Sequence, residues 1–127
     1  MLRLWVLPNG GVGTAESLRT LLESFRRSAG GCEVEVSVRT TASAWKRLFA
    51  AFKRPELPVG GDLKPDVVQI PSHWTAELAH LSFLEDLSQP QPPDLARWPE
   101  RWRAQCRIND GDAVYSLPWW MEPRVLY

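Results

Sequence analysis

The sequence predicts an α/β fold in which a mostly parallel sheet is covered by helices on both faces. Short apolar or β-branched runs that end at proline or glycine alternate with segments of helical periodicity, in the order β-α-β-α-β-α-α-β. The chain has 127 residues, a length typical of one domain. Hydrophobic residues make up 44% and charged residues 24%, which is typical of a globular protein.

The first predicted strand covers residues 2–7 and ends at a Pro-Asn-Gly-Gly turn. Thr14 is a candidate N-cap for the helix that follows, and Gly30 with Gly31 ends it. The apolar side chains of this helix recur at helical spacing and are Leu18, Leu21, Leu22 and Phe25.

The second strand, residues 34–38, alternates valine with polar residues, which predicts one exposed side. Thr41 or Ser43 caps a second helix, after which residues 53–65 are rich in proline and glycine and predict a loop. The apolar face of this helix comprises Trp45, Leu48, Phe49 and Phe52.

The remainder of the chain predicts two strands and two helices. Residues 66–70 form the third strand, and Ser72 opens a short helix. Residues 89–93 (QPQPP) are a stiff connector, and residues 94–107 form a helix that Pro99 can force to begin late. Residues 113–117 form the fourth strand.

The charge balance and the lack of long apolar runs argue against nucleic-acid binding, binding to anionic membranes and membrane spanning. Lysine and arginine number 15, and aspartate and glutamate also number 15, so the formal net charge is zero. Nucleic-acid-binding and anionic-membrane-binding proteins normally carry a basic excess, so we expect no nucleic-acid partner. No apolar run reaches the length of a membrane span, and residues 1–7 do not resemble a signal peptide.

The two cysteines, Cys32 and Cys106, fit neither a metal-binding spacing nor a CxxC motif, so no metal site is expected. We expect two free thiols. A single disulfide is the alternative, and it would matter only in an oxidising compartment.

Two enzymatic interpretations fit the residues poorly. The glycine-rich loop of residues 9–14 has neither the lysine of a phosphate-binding P-loop nor the glycine spacing of a dinucleotide fingerprint. There is no GxSxG motif, and the adjacent Ser72 and His73 do not form a nucleophile–base pair by sequence alone. We therefore expect no enzymatic activity and no cofactor, with a small nucleotide-dependent cytosolic enzyme of Rossmann-like fold as the alternative.

The seven tryptophans favour a binding site. In a parallel sheet, ligands bind where loops emerge from the carboxyl ends of the strands, and two such predicted loops contain Trp74 and the Trp119–Trp120 pair. An indole face stacks on the C–H face of a sugar ring, while neighbouring polar groups orient the sugar. The other four tryptophans are predicted to hold the fold: Trp5, Trp45, Trp98 and Trp102.

Ordered blocks along the chain resemble the family 1 extracellular solute-binding proteins. The blocks are LRLWVLPNGG, LLESFRRSAGG and EVEVSV near the start, then KPDVVQIPSHWTAELAHLSFLEDLS, and finally GDAVYSLPWWMEPRVLY. Together they extend from residue 2 to residue 127 and follow the family's order. The family includes the sugar- and oligosaccharide-binding components of ABC importers.

The resemblance implies the N-terminal lobe of a type II periplasmic-binding-protein fold. Residues 1–127 would form this lobe incompletely, and the C-terminal lobe is absent from them. It also implies non-covalent capture of a sugar or oligosaccharide by lobe closure, with permease subunits as partners and a periplasmic or extracellular, membrane-associated location. The ligand-binding residues it implies are Asn9, Gly10, Ser72, His73, Trp74, Trp119, Trp120 and Glu122.

Overall fold

The computed structural model describes residues 1–8, 14–53, 64–109 and 111–119. The chain divides into two compact units, Met1–Ile70 and Pro71–Tyr127. The first unit contains a sheet with its connecting helices, and the second contains short helices and extended segments.

The first unit contains a three-stranded parallel sheet. Strand β1 (Leu2–Val6) lies between β2 (Val34–Val38) and β3 (Val67–Val68), so the spatial order is β2-β1-β3. In the register, Trp5 of β1 lies opposite Ser37 on one side and Val68 on the other. This arrangement confirms the predicted α/β class and its parallel strands.

Helix α1 (Thr14–Ser28) connects β1 to β2, and helix α2 (Thr41–Lys53) connects β2 to β3. The two connections run in opposite directions across the sheet, because β2 and β3 lie on opposite sides of β1. Connections between parallel strands are almost always right-handed. We therefore expect α1 and α2 to cover opposite faces of the sheet.

The end of α1 agrees with the sequence prediction, but its buried face is narrower than predicted. Gly30 and Gly31 have φ angles of 64° and 85°, and the Gly31 amide donates a hydrogen bond to the Arg26 carbonyl at 2.9 Å. This is a Schellman ending, in which glycine accepts the left-handed conformation without steric cost. Leu18 is buried, whereas Leu21 and Phe25 are 54% and 41% exposed. The predicted apolar face is thus only partly used within the described part of the chain.

The N-terminus of α2 is capped one residue earlier than the sequence predicted. The Ser43 amide donates to the Thr40 hydroxyl at 3.3 Å, so Thr40, rather than Thr41 or Ser43, is the N-cap. A hydroxyl at the N-cap satisfies an amide that has no partner within the helix. The helix buries its residues at positions i, i+4 and i+7: Ala44, Leu48 and Ala51.

The second unit begins with a 3-10 turn (Ser72–Trp74) that continues directly into α3 (Thr75–His80). Helix α4 (Glu100–Gln105) is much shorter than the predicted helix over residues 94–107. Pro99 has an extended ψ of 145°, and α4 begins at the residue after it. Proline is tolerated at the start of a helix but not in its interior, which explains the late start.

The prediction of a fourth strand at residues 113–117 is wrong. Val114 forms one isolated antiparallel bridge with Arg107, and the flanking residues of this segment are not in a strand. The Tyr115 amide donates to the Cys106 carbonyl at 2.8 Å, so the segment lies along the end of α4. Alternating apolar and polar residues do not specify which backbone groups a segment will pair with. Here the partners lie at the end of α4 and not in a sheet.

A small apolar cluster holds this unit together. Leu95, Cys106 and Val114 are at most 6% exposed and pack together, with the half-buried Trp98 against them.

Among the described residues, no helix is long and apolar enough to cross a membrane.

Cys32 and Cys106 are both free in the structure. The Cys106 thiol is buried and donates a hydrogen bond to the Trp102 carbonyl at 3.3 Å. Burial raises the pKa of Cys106, although a hydrogen bond with Ser116 and the charge of Arg107 act in the opposite direction.

We expect the two thiols of the native protein to react at different rates. The thiolate is the reactive form, and burial disfavours it at Cys106 while also limiting access, so Cys32 should be alkylated about tenfold faster or more. Timed iodoacetamide labelling followed by peptide mass spectrometry measures both rates. Labelling in denaturant is the control, where the rates should converge. Equal rates in the native protein would contradict this prediction.

Candidate functional site

Hydrogen bonds join the ends of the three strands at the carboxyl edge of the sheet in the first unit. The Leu7 amide donates to the side-chain oxygen of Gln69 at 3.1 Å, and the Arg39 amide donates to the Val6 carbonyl at 2.8 Å. The Arg39 guanidinium lies 5.3 Å from the centre of the Trp5 ring. The predicted ligand residues of the loop that follows, Asn9 and Gly10, lie outside the described residues.

In the second unit, the predicted ligand residues of the 3-10 turn differ in exposure. Ser72 and His73 are exposed, whereas Trp74 is only 9% exposed. Ser72 and His73 therefore offer polar groups to solvent. Most of the Trp74 side chain is packed against other residues. Little of its ring surface is therefore available for the stacking on a ligand that the sequence predicted.

A second segment, residues 114–119, ends with Trp119 of the other predicted aromatic site. The Leu87 amide donates to the Val114 carbonyl at 2.7 Å. The Asp86 carboxylate accepts hydrogen bonds from the hydroxyl and the amide of Ser88, and these lower the pKa of Asp86. A weaker backbone hydrogen bond from Val114 acts in the same direction. The turn at residues 86–88 thus anchors the beginning of the 114–119 segment.

One hydrogen bond links the two predicted ligand-binding regions of this unit. The Thr75 and Ser116 hydroxyl oxygens lie 3.3 Å apart, and Thr75 is only 1% exposed. Thr75 directly follows the Ser72–Trp74 turn, and Ser116 lies three residues before Trp119. Regions separated by about forty residues in sequence therefore meet, as the contact of residues 75 and 116 shows.

Trp119 is 53% exposed, which is unusual for so large an apolar side chain. An exposed indole supplies a flat surface on which a ligand ring can stack. The two remaining predicted ligand residues, Trp120 and Glu122, lie outside the described residues.

The sequence prediction missed a half-open hollow of about 420 Å³ on the second unit. The 114–119 segment forms one side of it through Leu117 and Pro118, immediately before Trp119. The opposite side comes from the start of the segment that leads into α4, with Pro93, Asp94, Leu95, Arg97 and Trp98. Its volume lies within the range of small-molecule sites.

Trp98 has a different environment from the one predicted for it. Its ring lies 5.7 Å from that of Trp102, as the spacing of four residues suggested, and it packs on the apolar cluster. It also lines the hollow, with the Arg97 guanidinium 6.0 Å from its ring centre. The spacing of four residues predicts the contact between the Trp98 and Trp102 rings. It does not predict the hollow, because Leu117 and Pro118 on its other side come from a distant part of the sequence.

Metal chemistry gains no support from the part of the chain that the structure describes. Within it, no group of three or more histidine, cysteine, aspartate or glutamate side chains is placed to hold a metal ion.

Comparison with protein-family models and with curated proteins finds no match to this chain. The resemblance to the solute-binding family therefore remains a proposal that rests on the sequence blocks.

Proposed function

We propose that this chain is the N-terminal lobe of a solute-binding protein that captures a sugar or oligosaccharide for an ABC importer. The observation that carries the proposal is the hydrogen bond between Thr75 and Ser116. It brings the 3-10 turn and the 114–119 segment together, and both regions were expected to bind ligand from the sequence alone. An aromatic face together with polar side chains is the combination that sugar recognition needs.

In this proposal the exposed Trp119 indole stacks on a sugar ring, while Ser72 and His73 donate and accept hydrogen bonds. Binding is non-covalent, and closure of a second lobe over the ligand excludes water. The protein works outside the cytoplasm and delivers its ligand to permease subunits. The α/β class with parallel strands is compatible with such a lobe, and the sequence blocks supply the family.

The test is the sugar affinity of Trp119→Ala in the full-length protein. Calorimetry is performed with glucose, galactose, mannose and xylose, and with maltose, lactose, cellobiose and xylobiose. Loss of an aromatic stacking face should weaken binding by about 1–3 kcal/mol, or about 5- to 150-fold in Kd. The melting temperature should change little, because Trp119 is half exposed.

Phe25→Ala is the matched control, since Phe25 is also an aromatic side chain that is 41% exposed and has no predicted role in binding. This variant should bind sugars with the affinity of the unmodified protein. The proposal fails if no sugar of the panel binds, or if Trp119→Ala and the unmodified protein bind equally well.

A further inference from the structure

The residues that line the hollow beside Trp98 favour a particular kind of ligand. Leucine and proline side chains form apolar walls, and Trp98 adds an aromatic ring. Asp94 and Arg97 bring one negative and one positive charge to the same lining, so the lining is neutral as a whole. A ligand with a net charge would meet one like charge, whereas a neutral ligand with several polar groups meets none.

The two charged side chains keep hydrogen-bonding capacity for a ligand. One oxygen of the Asp94 carboxylate accepts from the Ala96 amide at 2.9 Å, which leaves the second oxygen as an acceptor. Arg97 is exposed, and the contact that the structure gives for it among the described residues is the one with the Trp98 ring. A carboxylate acceptor and guanidinium donors side by side match vicinal hydroxyl groups, each of which both donates and accepts.

The hollow also lies next in the chain to the proposed stacking residue. Leu117 and Pro118 line it, and Trp119 follows Pro118 directly. Two residues of chain span at most about 7 Å, so the backbones of Leu117 and Trp119 lie within the reach of adjacent rings of one oligosaccharide.

We propose that the hollow holds a second sugar ring, so that the ligand of this protein is an oligosaccharide of at least two rings. The inference rests on the proposed function, because it extends the sugar site that begins at Trp119. Trp98 supplies the apolar contact for the second ring. Asp94 and Arg97 hydrogen-bond its hydroxyl groups.

The experiment compares disaccharide and monosaccharide affinities of Arg97→Gln and Asp94→Asn in the full-length protein, using the sugars named above. Losing a hydrogen bond to a charged group should weaken disaccharide binding by about tenfold. Monosaccharide affinity should change by less than about twofold, since a single ring binds at Trp119 with Ser72 and His73 and does not need the hollow. Asparagine at position 94 retains the oxygen that accepts from the Ala96 amide, so this variant preserves the local turn.

Arg101→Gln is the matched control. The Arg101 guanidinium lies 5.7 Å from the Trp102 ring, an arrangement similar to that of Arg97 on Trp98, but Arg101 does not line the hollow. It should leave every sugar affinity unchanged. Circular dichroism of all three variants verifies that they fold.

Each outcome decides between the two proposals. If disaccharide affinity is unchanged in Arg97→Gln and Asp94→Asn while Trp119→Ala loses sugar binding, the hollow is not a subsite and the proposed function stands. Equal losses in Arg97→Gln and Arg101→Gln also overturn the subsite. If no sugar binds the unmodified protein, the proposed function and the subsite fall together.

Discussion

Replacing Trp5 with alanine is expected to lower the free energy of unfolding by about 3–5 kcal/mol, the usual cost of removing a large buried aromatic side chain. Trp5 lies in the central strand of the three-stranded sheet and is 4% exposed. Its ring also carries the Arg39 guanidinium at 5.3 Å. The substitution thus creates a cavity and removes a cation–π contact. Urea unfolding followed by circular dichroism measures the change without relying on tryptophan fluorescence.

Trp119→Ala is the matched control for this prediction, because it is the same substitution at a tryptophan that is 53% exposed. Its expected cost in stability is below about 1 kcal/mol. The interpretation of Trp5 as a core residue would be contradicted if the two variants were equally stable.

Replacing Val114 with aspartate should destabilise the second unit by about 3–5 kcal/mol, because it would bury a carboxylate within the apolar cluster. Val114 is 2% exposed and packs with Leu95 and Cys106. Burial raises the pKa of the introduced carboxyl group, so the loss should be largest at neutral pH and shrink as the pH falls through that raised pKa. Urea unfolding at several pH values measures both effects.

Val38→Asp is the control, since it makes the same change at a valine that is 52% exposed at the end of β2. We expect it to cost at most about 1 kcal/mol, from strand propensity alone. A similar loss in both variants, or a loss at Val114 that does not depend on pH, would show that the cluster around Val114 does not exclude water.

Much of the first unit could be predicted from the sequence because its signals are local. Strand β2 begins and ends at the predicted residues, and α1 ends at the predicted glycine pair. By contrast, the cap of α2 was placed one residue late, because Thr40, Thr41 and Ser43 all carry hydroxyl groups and only the backbone conformation selects among them.

The candidate site was less predictable. The exposed Trp119 lies in one of the loops that the sequence singled out, whereas Trp74 from another such loop is buried. Both are tryptophans next to polar residues after a predicted strand, so the sequence treats them alike. Burial depends on which segments pack around a side chain, and periodicity does not contain that information.

The sequence by itself determined the β-α-β-α-β order of residues 1–70, since each strand and helix there carries its own hydrophobic period and its own end signals. Only the tertiary structure decided that Val114 and Tyr115 pair with Arg107 and Cys106 rather than join a sheet. It also decided that Leu117, Pro118 and Trp98 line one hollow. The physical reason is that a backbone hydrogen bond and a cavity wall each need a partner from elsewhere in the chain. A residue's own neighbours in sequence do not specify that partner.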